Sequence, residues 1–314
     1  MATYSARRLV ATIPVIVLIS VITFFAMRLL PGDPAMAMLG EEADPAVAEA
    51  IRIEMGFDRP VVVQYFDWIG GVFQGDFGDS RRSGDTVRAL VADRLELSIE
   101  LGILSLILAV IIAIPIGLLA GSRPNTPFDY GGTLFAVLGA AIPNFWLAMV
   151  LILIFAVELG WFPALGWTSF RDDPIENLRG LFLPALAIGV AQAAVLARQT
   201  RAAMVEVLRQ DYVRTARAKG LRESTVVLQH AFRNALIPVV TILGLQVSNI
   251  VGGAIIIETV FNLPGIGKLL IDSIFFREFP TVQAIALMLA LVVALSNLLV
   301  DVTYAVLDPR IRYE

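Results

Sequence analysis

DYVRTARAKGLRESTVVLQHAFRNALIP, residues 211–238, is a basic, soluble-looking insert between two strongly apolar runs. Arg214, Arg217, Lys219, Arg222 and Arg233 carry its positive charge, and only Asp211 and Glu223 oppose it. Gly220 is placed to end one helical run, because glycine takes the left-handed cap conformation without steric cost. Pro238 marks entry to the next apolar segment. What the insert is depends on what flanks it.

The flanks are membrane spans. Hydrophobic residues make up 57% of the chain, and they fall into runs long enough for a helix to cross about 30 Å of hydrocarbon. A soluble helical core would show amphipathic faces, whereas Leu97–Leu119 and Ala284–Leu299 are apolar nearly all round. The fold class is an all-α polytopic membrane protein with six expected spans, at about 9–29, 97–121, 133–157, 181–200, 236–259 and 281–306. Leu9–Met27 is uncharged throughout and longer than a signal-peptide core of about 7–15 residues, and the following PGDP is a poor cleavage site. It reads as a retained first span. Pro143 is expected to kink span three.

Lys and Arg in short loops set the orientation. Arg7, Arg8, Arg123, the cluster from Arg198 to Arg233, Arg310 and Arg312 lie on one side, against Arg171, Arg179, Lys268 and Arg277 on the other. The first side is therefore expected to be cytoplasmic, with both termini there. The acidic segment after span one, with Asp44, Glu49, Asp58 and the aromatics Tyr65, Phe66 and Trp68, reads as a small ordered extracytoplasmic subdomain. Its stretch Asp44–Met55 is expected to be helical, with Pro45 at the first helical position, and GDFGDS at 75–80 is turn chemistry. The domain plan is 1–30 for the first span, 31–96 for the extracytoplasmic segment and 97–314 for the core, including the cytoplasmic loop 201–235.

Most enzyme classes are excluded by what is missing. There is no cysteine, and His230 is the sole histidine, so thiolate chemistry and histidine metal clusters are out. NLPGIGKLL at 262–270 approaches a phosphate-binding loop but has Asn262 and Leu269 where glycine and Ser/Thr are needed. The chain is not expected to hydrolyse ATP. An ion-gradient carrier would need carboxylates at mid-membrane depth, which the spans lack, and an intramembrane protease would need a Gly-x-Gly-Asp pair or a Ser–His pair.

Within the insert, Glu206–Lys219 is expected to form one short helix. Val207, Leu208, Tyr212, Val213 and Ala216 would supply apolar contacts, and Arg209, Arg214, Arg217 and Lys219 polar ones. The small residues Ala216 and Ala218 would allow close approach of a facing surface. A second helix from about Glu223 to Asn234 would lead back to span five. Spacing alone leaves two roles open: docking to a protein, or lying on anionic lipid.

DYVRTARAKGL followed by HAFRNALIPVVTILG resembles the coupling-loop signature of inner-membrane permeases of binding-protein-dependent ABC transporters, in the branch for dipeptides, oligopeptides, glutathione or nickel. The likeness extends over RRLVATIPV at 7–15, PGDP at 31–34, GDFGDS at 75–80, ETVFNLPGIGKLL at 258–270 and NLLVDVTYAVLDPRIRYE at 297–314. The Glu-Ala-Ala of the wider superfamily is absent, with Arg214-Thr215-Ala216 in its place, as is usual in the peptide branch.

The resemblance implies a type I ABC importer permease in the cytoplasmic membrane. It would pair with a second, related permease subunit, two ATPase subunits and an external solute-binding protein, with no nucleic acid involved. ATP and Mg would be bound by the ATPases and no cofactor by this chain. Asp211, Tyr212, Arg214, Ala216, Arg217, Ala218, Lys219 and Gly220 would form the ATPase-coupling surface. Polar residues inside spans mark a pathway or a helix contact; Asn144, Gln192, Gln246, Asn249 and Gln283 are the pathway candidates. Glu258, Phe261, Pro264 and Gly265 are candidates for a gate or a binding-protein contact. Gly117–Gly121 and Gly252-Gly253 are expected to allow close helix packing, with span five at the permease–permease interface. The cargo is expected to be a peptide, with glutathione, nickel chelates or haem as alternatives on the same machinery.

Overall fold

The computed structural model describes residues 2–28, 44–54 and 56–307. PGDP at 31–34, and Arg310 and Arg312 of the C-terminal motif, lie outside the described residues. The described chain is helical, with one isolated antiparallel bridge between Asp79 and Thr86. In chain order the helices are α1 (Ala2–Arg28), α2 (Pro45–Glu54), α3 (Val61–Gln74), α4 (Val87–Ser122), α5 (Pro127–Ala141), α6 (Asn144–Glu158), α7 (Pro174–Leu208), α8 (Asp211–Ala218), α9 (Glu223–Val260), α10 (Ile266–Phe275) and α11 (Phe279–Leu307).

Among the described residues, α4, α7, α9 and α11 are long and apolar enough to cross a membrane, and Val10–Ala26 of α1 is a shorter apolar stretch. The expected span three is two helices: α5 and α6 meet at an angle of 101°. The break has a local cause. Pro143 disfavours helix in the residue before it, and Ile142 accordingly takes an extended conformation, with φ −76° and ψ 124°. Helix limits also differ from the apolar limits, since polar turns extend helices beyond their apolar centres. α4 starts at Val87 rather than near 97. α7 starts at Pro174, where the Asp173 carboxylate accepts the N–H groups of Ile175 (3.0 Å) and Glu176 (3.1 Å).

The chain divides into two compact units. One comprises Leu97–Leu263 with Ser296–Glu314, the other Ala2–Glu96 with Pro264–Leu295. In the first, α7 is the central helix: 72% of its most apolar stretch is buried, against 22% for that of α9. It packs against α5, α6 and α9, and its Leu181, Leu183 and Ile188 join Leu97, Leu101, Ile250, Ile257 and Phe261 in the main core. Small residues let backbones approach. A Cβ at Gly117 would stand 2.5 Å from Thr200 Cβ, and one at Gly121 would stand 2.6 Å from Met204 Cβ, so α4 crosses α7 at the expected glycines. Gly252, by contrast, has nothing within 4 Å.

In the second unit, α1 packs on α3. Ser20 and Tyr65 hydroxyls are 2.8 Å apart, and Phe24 lies edge-on to Tyr65 with ring centroids 5.3 Å apart. Asp44 accepts the Ala46 N–H at 2.9 Å, opening α2 where its Asp-Pro signal placed it. The glycines of GDFGDS take positive φ (Gly75 79°, Gly78 81°) and the Asp76 carboxylate accepts the Gly78 N–H at 2.9 Å. Ile266, Leu269 and Ile285 form this unit's core, with Leu90, Val91 and Met288 against it. α3 and α10 were not expected from sequence. Gly267 and Leu269 of the near-miss phosphate loop are buried on α10, so Gly267-Lys268 is helix and not an open loop.

Candidate docking surface

The basic insert folds as an elbow. α7 stops at Leu208, Gln210 is extended (φ −72°, ψ 148°), and α8 begins at Asp211, so the expected continuous helix from Glu206 is broken at 209–210. α8 ends at Ala218 with Lys219 as its cap, and Gly220 then takes φ +78° while its N–H bonds to the Arg217 carbonyl at 2.9 Å. That is the left-handed cap the sequence called for. After the turn, Glu223–Val260 runs as one helix with a π-helical stretch at Val226–Phe232, so the insert's second helix and span five are continuous. Pro238, which marks entry to the apolar segment, lies inside that continuous helix.

The elbow has a buried face and an open one. Val213 and Ala216 of α8 are buried on Val226, with Val207 and Leu208 beside them. Ala216 is therefore directed into the chain's own core, because the helix needs an apolar seat before it can present anything outward. Asp211, Tyr212, Arg214, Arg217, Ala218, Lys219 and Gly220 are exposed. They are not equivalent. The Arg217 guanidinium makes two hydrogen bonds to the Glu223 carboxylate, Nη2–Oε1 at 2.7 Å and Nε–Oε2 at 3.2 Å, and so braces the turn at Gly220. Arg214 has a looser 3.4 Å contact with Asp211, and both side chains are largely open to solvent, at 80% and 94% exposure. Arg214, Lys219 and Tyr212 are thus the side chains best placed to meet a partner.

Beneath the elbow, helices of the first unit converge. Met204, Ala203, Ala231 and Ala235 pack together with Leu118, Val207, Leu208 and Phe232, which joins α4, α7 and α9. Arg201 of α7 makes a two-point ion pair with buried Asp129 of α5, one arm of it Nη2–Oδ2 at 2.9 Å, and Asp129 also accepts the Asn125 N–H at 2.9 Å. Sequence reasoning missed Asp129 and Arg201. Their separation along the chain gives no local signal, although a charged residue in the first turn of an apolar helix is a hint.

Four of the pathway candidates belong to the first unit and one to the second. Gln192 and Gln246 are buried and adjacent, the Gln246 amide donating to the Gln192 carbonyl at 3.2 Å, which is a helix–helix contact. Gln246 Oε1 has no partner. Asn144 is half-buried and Asn249 is exposed, and Asn144 Nδ2 lies 3.4 Å from where a Cβ on Gly253 would be. Gln283 is buried in the second unit. The gate candidates also separate. Glu258 is fully buried and accepts from Ser98 Oγ at 2.6 Å, and Phe261 belongs to the main core, so neither offers a surface to a partner. Pro264 is exposed and Gly265 is buried before α10. The missed anchor here is Glu100, which accepts from Asn177 Nδ2 at 2.7 Å and Trp167 Nε1 at 3.1 Å and holds the segment before α7 in place.

Known proteins share this pattern over the whole chain. Residues 113–313 match the family described as binding-protein-dependent transport system inner membrane component, and residues 1–101 match its N-terminal membrane component. The oligopeptide transport system permease protein AppB of Bacillus subtilis (strain 168) is 42% identical over 316 residues, covering 100% of both chains. The glutathione transport system permease protein GsiC of Salmonella choleraesuis (strain SC-B67) is 44% identical over 314 residues, again covering 100% of both. Among solved structures, the crystal structure of an amino acid ABC transporter with histidines superposes with a TM-score of 0.53 at 16% identity, over 69% of this chain and 94% of that one, which is a likeness of fold. Apolar helices converging under a basic elbow, and a family match across both parts of the chain, make this protein a multi-pass member of the inner-membrane components of binding-protein-dependent transport systems.

Proposed function

We propose that the chain is the permease subunit of an ATP-driven importer of peptides, coupled to a partner ATPase through α8 and the turn at Gly220. The observation that carries this reading is the elbow: an exposed basic face whose buried side is packed onto the helices that span the membrane. Displacement of α8 by a partner would be transmitted through Val213, Val226 and Leu208 to α7 and α9, because a close-packed interface moves as a body. A relative named for oligopeptide transport supports a peptide cargo; glutathione, for which another relative is named, nickel chelates and haem are the alternatives.

On this reading ATP and Mg are bound by two ATPase subunits, a second permease completes the pore and an external binding protein delivers cargo. The termini and the loop 201–235 face the cytoplasm, and the segment 31–96 faces outward. The core is 97–314, and no reaction is catalysed by this chain alone. Reconstitution in proteoliposomes with the partner subunits and a labelled tripeptide tests it. Uptake is expected to require internal ATP and to survive a proton uncoupler. Uptake that persists without ATP and collapses with the uncoupler overturns the reading.

A further inference from the structure

The second unit holds a cavity of about 310 Å³ that neither the elbow nor the span residues explain. Its wall brings the 80–83 turn against the C-terminal end of α10 and the start of α11, with Arg94 of α4 also lining it. The volume is at the small end of ligand pockets, which run from about 300 to 1,000 Å³. Its chemistry is two-signed: Arg82 and Arg94 line the same space as Asp272 and Glu278.

The acidic side has unused capacity. Glu278 is 8% exposed, and its Oε1 accepts the Arg82 backbone N–H at 3.1 Å, but its Oε2 has no partner. Thr281, 1% exposed, also lines the cavity, and its hydroxyl is unpartnered too. Buried polar atoms are seldom left in that state, since each forfeits its hydration without recompense. Asp272 is different, being held by Lys268 at 3.3 Å. On the basic side, the Arg82 guanidinium lies 3.5 Å from the Phe276 ring centroid, which fixes its plane while leaving its N–H edge available.

A lone cation would face two arginines in this space, and a lone anion would face Glu278. A molecule with an ammonium group at one end and a carboxylate at the other meets both demands. We propose that this cavity binds a small zwitterion of the amino acid or dipeptide class, its ammonium group taken by Glu278 and Thr281 and its carboxylate by Arg82 and Arg94. The site shares no residue with the docking elbow, and the inference does not depend on what the pore carries.

Calorimetry on the purified full chain in lipid nanodiscs, with L-alanyl-L-alanine as probe, tests this directly. Saturable binding is expected, weakened about tenfold or more by N-acetylation or C-amidation of the probe and by Glu278→Gln or Arg94→Gln, each of which removes one charge-assisted contact. A site elsewhere in the chain would bind the probe without regard to those two substitutions. The chain has no cysteine, so Ser83→Cys places a single thiol on the cavity wall while leaving the four binding side chains intact. Its labelling by a maleimide is expected to slow when alanyl-alanine is present and not when the doubly blocked dipeptide is. Absence of saturable binding, equal binding of blocked and free probes, wild-type affinity in the charge variants, or labelling indifferent to the probe overturns the proposal.

Discussion

Arg217 closes on Glu223 across the turn at Gly220, with contacts of 2.7 and 3.2 Å, so one of the basic residues expected to meet a partner is already engaged within the chain. Both side chains are substantially exposed, at 44% and 62%, and such a pair contributes at most about 1 kcal/mol to stability. Its value is geometric. It sets the angle between α8 and the start of α9. Arg217→Ala is expected to leave the melting temperature of the purified chain nearly unchanged while reducing ATP-coupled uptake. The exchange Arg217→Glu with Glu223→Arg should restore part of it. Arg214→Ala and Lys219→Ala should instead weaken ATPase association, measured by co-purification, with the elbow itself unaffected. Full uptake in Arg217→Ala would remove the brace from the mechanism.

Gly220 gives a sharper test, because the space around its Cβ position is empty within 4 Å while its φ is +78°. A substitution there acts through backbone strain alone. Gly220→Val should destabilise the turn by about 1–2 kcal/mol and lower uptake, whereas Gly220→Asn, which tolerates the left-handed region, should retain most of it. Equal uptake in the two variants would show that the turn conformation is not what matters.

The Asp129–Arg201 pair joins α5 to α7. Removing one partner of a fully buried pair costs about 3–5 kcal/mol, and with Arg201 still 35% exposed the expected loss is nearer about 2 kcal/mol. Thermal unfolding in detergent should show Asp129→Ala and Arg201→Ala each destabilising. The double variant Asp129→Leu with Arg201→Leu should be no worse than either, because it leaves no stranded charge. Strictly additive losses would mean the two groups are not coupled.

Glycine substitutions separate packing within the chain from packing between chains. Gly117→Leu and Gly121→Leu would drive side chains into Thr200 and Met204 and are expected to cost about 1–3 kcal/mol or abolish stable insertion. Gly252→Leu has open space around it, so the isolated chain should melt as wild type. If that face of α9 meets the second permease, Gly252→Leu should reduce recovery of the paired complex. Unchanged pairing would place the interface elsewhere.

Features carried by local chain chemistry could be read from the sequence. Long uninterrupted apolar runs have one low-energy environment, so the membrane class and the centres of the long helices follow from composition along the chain. Gly220 as a left-handed cap, Asp44-Pro45 as a helix start and the GDFGDS turn also depend only on near neighbours, and the structure has them all.

The tertiary structure decided which face each element shows and what it meets. It turned Ala216 inward with Val213, and withdrew Glu258 and Phe261 into the core. It joined Arg201 to Asp129, and broke span three into two helices at 101°. It also brought the 80–83 turn beside Glu278 and Thr281 to enclose a charged cavity. Pro143 marks the place of that break locally, but the 101° angle and the other outcomes do not follow from a residue's own type or its neighbours in sequence. Each depends on which helix faces approach in space, and a one-dimensional pattern of apolar and polar residues leaves that choice open until the faces are packed.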